Sequence, residues 1–201
     1  MSWLFPYHGS KSHLADLIVS RFPPHTCYCE PFAGAIAVLL ARSIPAEVEV
    51  INDLDSDIVH FFRVLRRASG KPEIEKRLIH FVKHMPMSRE EYEYFHRQWG
   101  KGNKPSNPVD RAAMWYFLQC CAVNGKGGWI HSPTDNKADY WQLCVSRLPK
   151  AIERLKHVQI EHSDFAKVIR TYDREDTLYY VDPPYIGVEG AGEYYNGAPP
   201  M

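Results

Sequence analysis

No run of apolar residues in the 201-residue chain approaches the roughly 18–20 that a membrane-spanning helix needs. The N-terminal Met1-Ser-Trp-Leu-Phe-Pro-Tyr-His lacks the basic segment and long apolar run of a signal peptide, so a cytoplasmic location is expected. Excess charge is also missing: Lys+Arg and Asp+Glu both total 24, and the formal net charge is zero. That excludes a uniformly basic nucleic-acid-binding coat but leaves room for a local basic face. Cysteine is sparse, and Cys27, Cys29, Cys120, Cys121 and Cys144 follow no framework spacing. They read as reduced thiols. Cys27-x-Cys29 is not a zinc half-site of the usual two-residue spacing. His80 and His84 lie one helical turn apart without an H-E-x-x-H pattern, so no metal is expected. The chain has no G-x-G-x-x-G, which disfavours a nicotinamide or flavin cofactor. It has no internal repeat and no low-complexity tract.

The length fits one ordinary domain with a subdomain inserted, and 45% hydrophobic residues is typical of globular proteins. Apolar residues at Leu14, Leu17, Ile18 and Phe22 form a helical stripe across 11–22, stopped by Pro23-Pro24. Thr26 to Cys29 is a short β-type run ending at Glu30-Pro31, and Ala35 to Ile44 reads as a buried helix. Glu47 to Ile51 is a second strand. Asn52 to Asp55 is then a turn into a helix through Ile58, Phe61, Phe62 and Leu65. From Gly70 to Lys150 the pattern turns helical and polar, with loops at 100–108 and 124–128. Alternation returns with a strand at Val158-Gln-Ile, a helix from Phe165 to Tyr172 and a strand from Thr177 to Val181. Such alternation predicts an α/β fold with a parallel sheet covered by helices. Residues 1–69 and 151–201 are read as that layer, and 70–150 as an inserted, mainly helical subdomain. After Tyr185 only residues 186–201 remain, without strand or helix pattern.

Three segments carry chemistry. Glu30-Pro-Phe-Ala-Gly34 sits where a strand gives way to a helix, at the sheet edge where open α/β folds bind ligands. A glycine there lets backbone approach a ligand closely; a plain tight turn is the other reading. Asp53 ends the second strand, where a carboxylate can hold ribose hydroxyls, although Asn52 or Asp53 would equally serve as a helix N-cap. Asp182-Pro-Pro-Tyr185 follows the apolar strand Leu178 to Val181. Its prolines hold the backbone extended. The Asp182 carboxylate and Pro183 carbonyl can then act as fixed acceptors beside the aromatic face of Tyr185. That set suits a planar base bearing an exocyclic amine.

Tyr7-His-Gly-Ser-Lys11, Glu30-Pro-Phe-Ala-Gly34, Ile51-Asn-Asp53 and Asp182-Pro-Pro-Tyr185 together resemble the ordered motifs of Dam-type DNA adenine-N6 methyltransferases. The similarity runs along essentially the whole chain, with one mild departure, Ser10 where the family usually carries a second glycine. The resemblance implies a Rossmann-like fold and S-adenosylmethionine as cofactor. It assigns Tyr7, Lys11, Glu30, Phe32, Ala33, Gly34, Asp53, Asp164, Phe165 and Asp182 to cofactor binding. Tyr7 and Lys11 match positions at the methionine end, Asp53 the ribose carboxylate, and Asp164-Phe165 the segment bracketing the adenine. Asp182, Pro183, Pro184 and Tyr185 match the catalytic pocket. Double-stranded DNA, with the target adenine flipped out, is the implied partner. A restriction endonuclease partner or a phage context is open, as is a monomer or weak dimer. Lys101, Lys104, Arg111, Lys126, Lys137 and Arg147 are candidates for phosphate contact, and Asn124 for a loop near the target base.

Two further readings stay open. The family continues past its catalytic tetrapeptide with strands that complete the sheet. A truncated homologue that binds cofactor or DNA without turnover is therefore a second expectation, with the strand Leu178 to Val181 at an exposed edge. A cytosine amine or a protein amide is the third, but those relatives more often begin the tetrapeptide with Ser or Asn, which Asp182 is not.

Overall fold

Each β-type run of the sequence is separated from the next by at least one helix, and all of the runs pair in parallel. The computed structural model describes residues 3–125 and 127–184. Strands β1 (Cys27–Glu30), β2 (Val48–Asn52), β3 (Val158–Glu161) and β4 (Thr177–Tyr179) form one sheet in the order β3-β2-β1-β4. Cys27 stands opposite Val48 on one side and Thr177 on the other. The helices are α1 (Ala15–Val19), α2 (Ala37–Ala41), α3 (Ser56–Ala68), α4 (Pro72–His84), α5 (Arg89–Gly100), α6 (Pro108–Cys120), α7 (Lys137–Arg154) and α8 (Phe165–Tyr172).

Alternation along each strand divides the core between the two sheet faces. Tyr28, Ile51 and Val158 join the large cluster formed with α3, α6 and α7, while Cys29 and Val50 meet Val168 of α8 on the opposite face. β1 is buried along its whole length, as a central parallel strand must be. Between α3 and β3 the chain is helical apart from an isolated bridge between Ala122 and Trp129. The buried side chains of α4, α6 and α7 merge with those of the sheet in one continuous cluster. At its centre Phe61 stacks on Tyr116 at 5.2 Å, and the Tyr116 hydroxyl lies 3.0 Å from the Leu4 carbonyl and 2.8 Å from that of Cys144. The five cysteines are all buried and unbridged.

Several expected elements are shorter or capped differently. α1 covers only five residues of the predicted 11–22. The small Ala15 is its fully buried residue; of the apolar stripe Ile18 and Phe22 pack against the core, while Leu14 and Leu17 are exposed. α2 begins at Ala37 rather than Ala35, because Gly34 (φ 45°) and Ile36 (φ 49°) occupy the left-handed region at its entry. A β-branched residue there is a genuine outlier. α2 ends at Ala41, where Arg42 turns extended and places its guanidinium 4.2 Å over the Tyr28 ring. The N-cap of α3 is neither Asn52 nor Asp53 but Asp55, whose carboxylate accepts from the Asp57 and Ile58 amides. β4 is half-buried rather than buried, lies at a sheet edge among the described residues, and stops before Val181, which is exposed.

Glu49 on β2 receives Arg154 through two contacts of 2.5 and 2.8 Å and Arg42 at 3.4 Å, and its side chain is only 3% exposed. Removing one partner of a buried ion network leaves uncompensated charge, at a cost of about 3–5 kcal/mol. Glu49→Ala is therefore expected to lower the unfolding free energy by about that amount in urea titration. A loss under about 1 kcal/mol would place the network among weak surface pairs instead.

Candidate functional site

The chain runs from β1 to β2 and β3 on one side, then returns to β4 on the other, so strand order reverses between β1 and β4. In open parallel sheets a crevice forms outside the carboxyl ends of the strands at such a switch point. A cavity of about 580 Å³ lies there, within the usual range for small-molecule sites. It is lined by Glu30 to Val38 after β1, Asn52 to Asp55 after β2, Tyr180 and Asp182 to Pro184 after β4, and Tyr7 to Lys11. α5 and α6 close the far side with Tyr92, His96, Trp99, Trp115, Leu118 and Gln119.

Local chemistry explains how each wall is held. The Gly34 amide donates to Asp53 Oδ2 at 2.9 Å and the Asp55 amide to Asp53 Oδ1 at 2.9 Å, fixing the carboxylate at the cavity. Burial pushes the Asp53 carboxyl above its ordinary value, and these backbone donors pull it back down. A Cβ at Gly34 would come within 2.9 Å of the Tyr7 ring, so only glycine allows this approach. Asn52, 1% exposed, donates to the carbonyls of Pro31 (2.9 Å) and Ser163 (3.0 Å) and accepts from the Ser163 amide (2.9 Å). It ties together the loops that follow β1 and β3. The Phe32 and Phe165 rings face the cavity with centroids 5.1 Å apart.

The lysine motif and the tetrapeptide meet across 171 positions. Lys11 Nζ lies 2.6 Å from Asp182 Oδ2 and also donates to the Gly9 carbonyl at 2.9 Å. Both side chains are about three-quarters shielded from solvent.

The structure therefore gathers Tyr7, Lys11, Glu30, Phe32, Ala33, Gly34, Asp53, Phe165, Asp182, Pro183 and Pro184 around one cavity. Asp164 is not among the lining residues; its carboxylate caps α8 through the Ala166 amide at 2.9 Å. Tyr185 and Lys126 lie outside the described residues. Lys104 (2.6 Å) and Arg111 (2.5 Å) both bind Asp57, so one carboxylate is shared by two cations. Lys101 is exposed at the end of α5, Lys137 pairs with Asp135 at 3.3 Å, and Asn124 sits exposed in the left-handed region at φ 52°. Arg147 packs 3.3 Å over the Trp3 ring and donates to the Trp3 carbonyl at 2.9 Å. Tyr92, Trp99 and Gln119, none of them among the site candidates of the sequence, also line the cavity. Only an estimate of which α5 and α6 faces point at the sheet would have revealed them. Among the described residues no group of three or more His, Cys, Asp or Glu side chains is arranged for a metal. No described helix is long and apolar enough to cross a membrane.

Glu30 lines the cavity and is buried. Its Oε1 accepts from the Tyr28 hydroxyl (2.7 Å) and the Leu39 amide (2.8 Å). Burial raises its carboxyl to about 7 despite these donors. The folded state thus holds this proton more tightly than the unfolded chain. Stability from this group is greatest below the ordinary carboxylate value and declines as pH rises towards about 7. Glu30→Gln keeps an acceptor but cannot ionise. Its stability relative to wild type is expected to rise by on the order of 2–3 kcal/mol between about pH 5 and pH 8. Denaturant titrations of both proteins across that range check it, and a pH-independent difference refutes the assignment.

Comparison with known proteins bears on the same segments. The model of the D12 class N6 adenine-specific DNA methyltransferases matches residues 7–196. The chain is also 26% identical over 173 residues to the Type II methyltransferase M.CviBI of Paramecium bursaria Chlorella virus NC1A. That alignment takes in 82% of this chain and 62% of the relative, so the chain spans less than two thirds of the relative's length. The family match runs from the Tyr7 motif through the β4 tetrapeptide and so covers every wall of the cavity. The chain belongs to the D12 class of N6 adenine-specific DNA methyltransferases.

Proposed function

We propose that this protein transfers a methyl group from S-adenosylmethionine to the exocyclic amine of adenine in double-stranded DNA. The observation that carries the reading is the contact between Lys11 and Asp182 inside the cavity that Gly34 and Asp53 also line. A ligand-binding turn, a ribose-type carboxylate and a polar acceptor at the end of β4 face one space.

The residues present fit the cofactor. Gly34 leaves room where a side chain would press on Tyr7. Asp53 accepts a backbone amide at each oxygen and, with roughly four lone-pair sites on a carboxylate, keeps capacity for ribose hydroxyls. Phe32 and Phe165 offer apolar ring faces for an adenine. When bound, S-adenosylmethionine supplies the electrophilic methyl group.

The chain's own part is to position and polarise. An aromatic amine is a poor nucleophile while its lone pair is delocalised into the ring. The Asp182 carboxylate accepting one N–H, and the Pro183 carbonyl the other, would draw that nitrogen towards tetrahedral geometry and offset its developing positive charge. Lys11 holds the carboxylate in one orientation beforehand, which leaves in-line approach as a matter of placement. The base must leave the duplex, costing a few kcal/mol. Tyr185, outside the described residues, is assigned the stacking that offsets part of this cost.

Lys101, Asn124, Lys126 and Lys137 are proposed to meet the DNA. Lys104 and Arg111 join them through an Asp57 network that carries one excess positive charge. Residues 70–150 are proposed as the recognition insert, with 1–69 and 151–201 as the catalytic layer. A restriction-modification or phage setting remains a proposal on the strength of the relative alone.

Tritiated methyl transfer to mixed-sequence DNA, followed by nucleoside mass spectrometry, should find N6-methyladenine. Asp182→Ala should lower the rate by at least about 10²–10³-fold, as for loss of one preorganised charge-stabilising group, while duplex binding persists. A rate near wild type in that variant, or label on cytosine, sinks the assignment. Binding of both ligands by the wild type without transfer identifies the non-catalytic homologue.

A further inference from the structure

The segment Asn124-Gly-Lys-Gly-Gly-Trp129 is a closed loop. It is held by the bridge between Ala122 and Trp129, the Val123 amide on the Gly128 carbonyl (3.0 Å) and the Ile130 amide on the Cys121 carbonyl (2.9 Å). Its two ends are thus fixed to the end of α6. Gln119 is the penultimate residue of α6. Its Nε2 donates to the Pro6 carbonyl at 2.9 Å, across 113 positions. Gly125, at φ 71°, lies directly against this hydrogen bond: a Cβ there would overlap both Gln119 Nε2 and the Pro6 oxygen. The N-terminal segment and the end of α6 thus share one polar contact, with Gly125 packed against it.

Pro6 is also the residue before Tyr7, whose ring packs against Gly34, and Gly34 in turn donates to Asp53. The turn after Tyr7, closed by the Ser10 amide on the Tyr7 carbonyl at 3.0 Å, carries Lys11 to Asp182. Tyr7, Gln119 and Gly125 all line the cavity. The segment assigned to the cofactor thus also accepts the Gln119 hydrogen bond against which Gly125 packs.

We propose that Gln119 is a positioning residue that couples cofactor binding to DNA binding, through its hydrogen bond to Pro6 and its packing under Gly125. The inference rests on the methyl-transfer reading, in which Tyr7 to Lys11 meet the cofactor and the glycine loop meets DNA. Coupling of this kind is reciprocal: each ligand tightens the other by the same factor. An isolated structural amide would steady the loop without linking the two affinities.

The test uses the whole protein as wild type, Gln119→Ala and Gly125→Ala, with S-adenosylhomocysteine as an unreactive probe and a fluorescent mixed-sequence duplex. In ligand-free protein Gln119→Ala should speed amide exchange at 123–129 and at 7–11 several-fold, leaving β1 protected. In wild type S-adenosylhomocysteine should tighten duplex binding, and in both variants that tightening should fall at least about five-fold. Each ligand measured alone should change by less. Unchanged exchange in both segments, or a wild-type tightening factor in Gln119→Ala, overturns the proposal. A wild type that binds S-adenosylhomocysteine but whose duplex affinity is unmoved by it overturns the coupling and leaves methyl transfer standing. A wild type that binds neither probe overturns both.

Discussion

The parallel pairing of β1 with β4 is the constraint on which everything else depends. Cys27 is paired with Val48 nearby in sequence, but also with Thr177, far along the chain. The second pairing closes a very long loop, and such closures are entropically costly before native contacts reward them. Its consequence is positional. The strand that emerges beside β1 delivers Asp182 to the edge where Gly34 and Asp53 already stand, and the N-terminal turn brings Lys11 against it. Without that return, the chain would have a ligand turn and an acidic tetrapeptide but no shared cavity.

A dense layer of aromatic residues makes the return possible. Phe5, Phe61, Trp115 and Tyr116 form a continuous set of ring contacts that pins the N-terminal segment to α3 and α6. The polar groups enclosed near β1 and β2 are matched rather than absent, with Glu30 under Tyr28 and Glu49 between Arg42 and Arg154. Buried polar networks of this kind fix one arrangement when fully satisfied.

Much of this is legible in the amino-acid sequence. α8 occupies Phe165–Tyr172 as its pattern predicts, because its apolar positions and the Asp164 cap agree. The strands stand where short β-type runs end in turns. α1 and α2 were overestimated because apolar periodicity does not report packing partners: Leu14 and Leu17 have the spacing of a buried stripe yet face outward. Left-handed Ile36 breaks the helical pattern that starts at Ala35, and nothing in its identity announces this. At the site, motif residues were readable because their order is distinctive. Gln119, His96 and Trp99 were not, since a helix face is chosen by the helix it packs on. The pairing of Lys104 and Arg111 with Asp57 was hidden for a similar reason: the partners lie 47 and 54 positions apart.

The burial of all five thiols has a practical corollary. Cys27 and Cys29 sit in the central strand, whereas Cys120, Cys121 and Cys144 sit in the helical layer. Burial pushes the Cys29 thiol up to about 12, so it is both shielded and protonated while the fold is closed. A thiol reagent can therefore reach these sulfurs only when the surrounding structure opens. Peptide mapping of the modified cysteines would show which layer of the protein lets go first.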